Sequence, residues 1–333
     1  MGSKKTLTVL VTGGGGFLGG AIIRRLLEQG HRVHTLNRGR YEQLLRAGVV
    51  CFRGDLADPK AARMAAEGCD AVFHVAAKAG YWGRYRDYYQ ANVTGTQNVL
   101  DACRAHGIRQ LVYTSTPSVV HAGGDLNGID ESWPYPRHFS AHYPATKAEA
   151  EQRVLAANGP DLATTALRPH LIWGPGDNHL LPRLEARARS GRLRLIGDGR
   201  KLIDTIYIDN AVEAHLQAWH CLQRPDSPCA GKPYFISQGD PRPQAEIINA
   251  LLETRGVPPV RRHLPLPAAR VLGHVMELAW ALLPLPGEPP LTPFLVEQLS
   301  SAHWYDISAA RRDLGYEPAI SIEEGLSRLR HGG

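Results

Sequence analysis

Three stretches of the chain carry residues whose types and spacing could do chemistry together. Tyr143-Pro-Ala-Thr-Lys147 sets a phenol and an ammonium four residues apart. On a helix, positions i and i+4 share one face, a turn apart. A phenol with its ordinary pKa of ~10 is a poor proton shuttle near neutrality, and a neighbouring ammonium favours the phenolate and lowers that value. Tyr143 is therefore the candidate general acid/base, with Lys147 as its partner. Tyr113-Thr-Ser-Thr-Pro117 brings Thr114, Ser115 and Thr116 to the end of an apolar run, where a hydroxyl donor can bind a substrate carbonyl oxygen.

The third stretch, Thr12-Gly-Gly-Gly-Gly-Phe-Leu-Gly19, fits T-G-x-x-G-x-x-G. Gly13 permits a tight turn off a strand, Gly16 lets backbone N–H groups approach a pyrophosphate, and Gly19 permits close packing of helix on strand. Phe17 and Leu18 open the helix whose N-terminus faces the phosphates. A dinucleotide is expected, and the end of the next strand selects which one. Leu36-Asn37-Arg38-Gly39-Arg40 has no carboxylate to accept a ribose 2′-hydroxyl, while Arg38 can clamp a 2′-phosphate. NADP(H) is the expected cofactor. Asp55-Leu56 is expected beside the adenine, and Lys147 can also hold the nicotinamide ribose.

Short β-branched runs at Leu7–Thr12, Arg32–Leu36, Val49–Arg53, Ala71–Val75, Gln110–Thr114 and Leu162–Leu167 alternate with helical stretches at 17–29 and 88–106. That alternation predicts an α/β chain with a parallel sheet covered on both faces. After Pro169 glycine and proline become frequent. The expected division is a doubly wound Rossmann domain over 1–170 and a smaller, mixed C-terminal substrate domain over 171–333, with part of 200–223 returning to the first. Between Arg270 and Leu283 the residues Val271, Leu272, Val275, Met276, Leu278, Ala279, Leu282 and Leu283 form an apolar helical stripe. It either packs on the second domain, covers a long-chain substrate, or rests on a partner enzyme or membrane surface. Residues from about 264 to 299 are expected to help hold such a substrate.

The net charge of +6 over 333 residues is too dilute for nucleic acid and suits an anionic cofactor or substrate. Five cysteines without C-x-x-C spacing predict neither disulfides nor a metal site. No signal-peptide pattern or membrane-length apolar run is seen, so a cytoplasmic protein is expected.

These motifs resemble the extended short-chain dehydrogenases/reductases, in the branch of 3β-hydroxysteroid dehydrogenase-like and NAD-dependent epimerase/dehydratase-like proteins. TGGGGFLG, GDL at 54–56, HVAA at 74–77, QANVTGTQNV at 90–99, VYTST at 112–116, YPATK at 143–147, LRPHLIWGPGD at 167–177 and YIDN at 207–210 carry the resemblance in order. It implies that the carbonyl-orienting hydroxyl falls on Thr116, with Ser115 beside it, and that Asn92 is structural near the cofactor. It also implies that Ala76, Ala77, Lys78, Pro169 and His170 line the dinucleotide, and that the protein is a homodimer built on the helices around 88–106 and 143–158. YTSTPSV, HLIWGPGDNHLLPRL, GEPPLTPFLVEQL and HWYDISAARRDLGYEP are similar to the bacterial 2-alkyl-3-oxoalkanoate reductase branch of long-chain olefin biosynthesis. That implies NADPH-dependent reduction of a 3-oxo group on a hydrophobic long-chain acid. A 3β-hydroxysteroid or sterol-4-carboxylate dehydrogenase, a nucleotide-sugar epimerase or dehydratase, and a non-catalytic NADPH-sensing scaffold are the alternatives. In the dehydratases Asp-Glu follows the orienting hydroxyl, whereas Pro117-Ser118 stand here.

Overall fold

The computed structural model describes residues 6–331. Seven short strands form one sheet: β1 (Thr8–Thr12), β2 (Arg32–Asn37), β3 (Val50–Arg53), β4 (Ala71–His74), β5 (Gln110–Thr114), β6 (Ala163–Pro169) and β7 (Pro233–Ile236). Their order is β7-β6-β5-β4-β1-β2-β3, and every pairing is parallel. TVLVT and AVFH are almost wholly buried because helices cover both faces. Phe17–Glu28 and Ile208–Leu222 cover one face. Pro59–Ala66, Gly95–His106 and His142–Ala156 cover the other. The strand order reverses between β1 and β4, and a ligand crevice opens at the carboxyl ends of strands at such a switch point.

A smaller mixed sheet joins Arg242–Pro243, Leu202–Ile203, His303–Tyr305 and Leu126–Ile129. Leu126–Ile129 comes from the first half of the chain. In the other direction Ile208–Leu222 and β7 come from the second half and return to the large sheet. The chain thus crosses between the two parts more than once, because β6 is covered only when β7 pairs along it.

The helix expected over 88–106 is interrupted. Tyr89–Thr94 is π-helical, between Tyr85–Tyr88 and Gly95–His106. A π-turn inserts one residue and re-aims the side chains on it. Here it delivers Asn92, whose Oδ1 accepts from Lys78 N–H (2.7 Å) and whose Nδ2 donates to Lys78 O (3.1 Å) and Thr146 Oγ1 (3.0 Å).

The stripe between Arg270 and Leu283 belongs to a helix over Leu266–Leu282, and its facing differs from the expectation that it shelters a substrate. Ala269 and Gly273 pack inward, while Val271, Val275, Leu278 and Leu282 point to solvent. At Gly273 the approach is close, since a Cβ there would sit 3.1 Å from the Thr292 carbonyl carbon.

Candidate active site

The crevice is a cleft of about 420 Å³. Gly13, at φ +71°, makes the turn off β1, and its N–H donates to Leu36 O (3.1 Å). A Cβ there would lie 2.9 Å from Ala76 Cα. A Cβ on Gly19 would run into Gly13 O, so only glycine lets the helix begin this close to the strand. Gly14 and Gly15 donate to Thr35 Oγ1 (3.2 Å) and Asn37 Oδ1 (3.0 Å), which fixes the loop to β2. The first-turn N–H groups of Phe17, Leu18 and Gly19 are left without intrahelical acceptors at the cleft wall. Thr12 Oγ1 braces the next wall by accepting from Val75 and Ala76 N–H, at 3.1 Å each.

Gly16, Arg38, Asp55, Leu56, Ala77 and Lys78 also line the cleft. Arg38 is exposed, and Arg53 Nε donates to its carbonyl (3.4 Å), which brings a second guanidinium to the same end. Thr114, Ser115, Tyr143 and Lys147 line the opposite end. Asn92, Pro169, His170 and Thr116 do not reach the cleft lining. Asn92 is committed to Lys78 and Thr146 as above. His170 is turned away by its bond to Asp204 O (2.7 Å), beside Leu171 at a left-handed φ of +45°. Tyr41 and His179 line the cleft without having been expected to hold the dinucleotide. The Tyr41 ring lies over Gly15 so closely that no Cβ would fit there. His179 is placed by Asp177, whose carboxylate accepts from the N–H groups of residues 179–181. An aromatic four residues beyond β2 and a histidine after a G-P-G-D turn are weak signals in sequence.

The acid/base pair differs from expectation in one respect. Lys147 is buried and donates to Thr114 O (2.7 Å), with its ammonium 4.1 Å from the Tyr113 ring centroid. Burial brings its pKa down to about 7, against the pull of the Glu151 carboxylate. Tyr143 is not lowered: burial pushes its phenol up to about 12, and a hydrogen bond with Thr116 offsets only part of this. Burial is the largest cause, the neighbouring Tyr88 adds to it, and the Lys147 ammonium is directed to the Thr114 carbonyl. Tyr143 is thus held as a protonated phenol, suited to donating a proton. Thr114 is fixed on its other side by His215: Nδ1 donates to Ala211 O (2.7 Å), so Nε2 accepts from Thr114 Oγ1 (2.8 Å). Burial holds that imidazole down at about 4, and it stays neutral.

The two candidate carbonyl-binding hydroxyls are in different states. Thr116 caps the short 3₁₀ turn Pro117–Val120, with Oγ1 2.9 Å from Ser118 Oγ, and also bonds Tyr143. Ser115 Oγ is buried at the cleft with no hydrogen-bond partner among the described residues. A buried hydroxyl without a partner costs stability, and an oxygen arriving in the cleft would satisfy it.

The sequence profile of the 3-beta hydroxysteroid dehydrogenase/isomerase family matches residues 10–266. The chain belongs to that family. It is an oxidoreductase of the extended short-chain dehydrogenase/reductase type, acting between CH–OH and C=O. Among its relatives is a 2-alkyl-3-oxoalkanoate reductase of Stenotrophomonas maltophilia, 57% identical over 97% of this chain and 98% of the relative. Another of the same name, from Shewanella oneidensis, is 48% identical over 98% of this chain and 87% of the relative. A solved structure of Thermus thermophilus UDP-glucose 4-epimerase complexed with NAD superposes with a TM-score of 0.73 at 23% identity, covering 98% of each chain. That likeness shows the shared Rossmann-like fold of this family member.

Proposed function

We propose that this family member reduces the 3-oxo group of a long-chain 2-alkyl-3-oxoalkanoate to the 3-hydroxy acid, with NADPH as reductant. The near full-length identity to two reductases of that name carries the reading. The cleft residues fit a dinucleotide: at Gly13 and Gly19 a Cβ would run into backbone and open the phosphate turn, and Ser115 Oγ, without a partner among the described residues, sits at the end where a reacting carbonyl belongs. Phe17, Leu18 and Gly19 N–H would face the pyrophosphate and Arg38 a 2′-phosphate, while Asp55 and Leu56 would border the adenine. When bound, the reduced nicotinamide supplies the hydride. Ser115 donates a hydrogen bond to the carbonyl oxygen, Thr116 orients the Tyr143 phenol, and Tyr143 gives the oxygen its proton. Lys147 fixes Thr114 and would hold the ribose side of the cofactor.

Cofactor choice rests on Arg38. Arg38→Ala is expected to raise the KM for NADPH about tenfold or more, since a charge-assisted bond is worth roughly 1.5–3 kcal/mol, and to leave that for NADH nearly unchanged. Initial rates with both cofactors test it, and equal use of NADH and NADPH by the unaltered enzyme would refute the assignment.

The substrate reading predicts a chain-length slope. Each buried methylene contributes ~0.8 kcal/mol, so removing four carbons is expected to lower kcat/KM roughly a hundredfold. The measurement is NADPH consumption against a series of 3-oxo acids. A flat profile would sink the long-chain reading, because a nucleotide-sugar enzyme draws its affinity from diphosphate and hydroxyl contacts.

A further inference from the structure

Among the described residues that line the cleft, Arg38, Lys78 and Lys147 are cations and Asp55 is the one carboxylate. Arg38 and Asp55 follow β2 and β3, at the end of the cleft far from Tyr143. Lys147 donates to the Thr114 carbonyl. Lys78 is placed otherwise. It is half-buried, and its ammonium lies over the face of the Tyr88 ring, 5.1 Å from the centroid. It has no ion pair with a carboxylate among the described residues, and an aromatic face leaves the three N–H donors of a lysine open to an incoming anion.

The surroundings put that ammonium at the catalytic end. The Lys78 peptide is held on both sides by Asn92, which also donates to Thr146 on the helix of Tyr143 and Lys147. Tyr88 is buried, donates its hydroxyl to Trp82 O (2.9 Å), and is near enough to Tyr143 to help push that phenol up. Tyr88 thus has the Lys78 ammonium on its face and the proton donor beside it. One carboxylate comes close from the second half of the chain: Glu288 lies against Gly80 and acts on the Tyr88 phenol. It pairs with Arg183 at 3.4 Å, so those two charges offset each other and the Lys78 charge remains.

We propose that the Lys78 ammonium binds the carboxylate of the substrate, next to the carbonyl that Tyr143 protonates. The proposal rests on the substrate reading above and adds to it the group that recognises the acid. In a 3-oxo acid the carboxyl carbon lies only about 2.5 Å from the carbonyl carbon, so the cation that holds one must stand beside the donor that serves the other. Two anchors so close together also fix the orientation of the ketone. Arg183 is a poorer ligand, since Glu288 already occupies it. The phosphates of the cofactor are the other anions suited to this cleft, and the glycine loop and Arg38 serve them away from Tyr88.

The test compares a 2-alkyl-3-oxo acid with its carboxamide, which keeps the shape and loses the charge. The unaltered enzyme is expected to favour the acid at least tenfold in kcat/KM, the least that a charge-assisted bond supplies. Lys78→Met should bring that ratio close to one at an unchanged Tm, and Lys78→Arg, which keeps the charge, should retain most of it. A preference that survives in Lys78→Met overturns the proposal. A Lys78→Met enzyme whose ratio holds while its affinity for NADPH falls in fluorescence titration would assign the ammonium to the cofactor's phosphates instead. Equal use of acid and carboxamide by the unaltered enzyme overturns the carboxylate site and leaves the substrate reading standing. Reduction of neither compound refutes that reading, and the proposal with it.

Discussion

Tyr143→Phe is expected to lower ketone reduction by about 10²–10⁴-fold, the range for loss of a positioned proton donor. Only the hydroxyl is removed. The ring stays packed on the helix His142–Ala156, so Tm and NADPH affinity should hold close to those of the parent. The direction of the pKa shift strengthens the expectation. With its phenol pushed up to about 12, Tyr143 carries its proton throughout the neutral range and can hand it to an oxygen that gains charge. Four groups around it are not suited to replace it. Ser115 and Thr116 are hydroxyls without an acidic pKa, the His215 imidazole is turned to Thr114 and Ala211, and Lys147 is engaged with the Thr114 carbonyl. Thr116→Val is the companion variant. It removes the bond that orients the phenol, so it should reduce kcat more than it changes the KM for cofactor. Steady-state kcat with fluorescence titration of NADPH separates chemistry from binding. A Tyr143→Phe enzyme that kept most of its rate would show that the proton comes from elsewhere.

What the sequence discloses about this site is whatever depends on near neighbours along the chain. The glycine loop, its strand and its helix lie within a dozen residues, and Tyr143 and Lys147 share one helix, so spacing alone locates them. The sign of the Tyr143 shift was not legible, because it depends on how deeply the phenol is buried, which spacing along one helix does not show. Tyr41 and His179 enter the cleft from loops whose path is set by packing rather than periodicity. His170 follows β6 but is drawn away from the cleft to Asp204, in the chain's second half. Periodicity likewise located the apolar stripe of Leu266–Leu282 but not its facing. A repeat of i, i+4, i+7 reads the same from either side of a helix, and the deciding contact is that of Gly273 with Thr292. Ile208–Leu222 covers the large sheet through contacts with strands far from it along the chain, which spacing within the segment does not show. The strand β7 beyond it was missed, because PYFI is too short to stand out among turns.

Glu151→Ala is expected to cost about 3–5 kcal/mol of stability, the range for stripping the partner from a buried charge. Glu151 lies one turn beyond Lys147 on the same helix, and Arg168 is on β6 just before Pro169. Their side chains are 0% and 1% exposed, and Arg168 Nη2 donates to Glu151 Oε1 at 2.6 Å. Arg168 Nε donates to both carboxylate oxygens at 3.1 Å, and Tyr135 Oη donates to Oε1 at 2.6 Å. Burial alone pulls the guanidinium pKa down, but the Glu151 charge and bonds outweigh it, so Arg168 stays charged and needs its partner. With alanine at 151, a guanidinium whose Nη1 already has no acceptor would lose its carboxylate as well. The pair also ties the helix bearing Tyr143 and Lys147 to the sheet, and the Glu151 charge holds the Lys147 pKa up toward 7. Glu151→Gln keeps the shape without the charge. It should lower the Lys147 pKa further and move the alkaline limb of the pH–rate profile to more acid values. Denaturant unfolding checks the stability effect, and the double variant Glu151→Leu/Arg168→Met decides its cause. If the loss arises from an orphaned charge, removing both members restores most of the stability of the parent. A double variant no more stable than Glu151→Ala would instead show that the pair acts through packing, and the ion pair would then have no part in holding the catalytic helix.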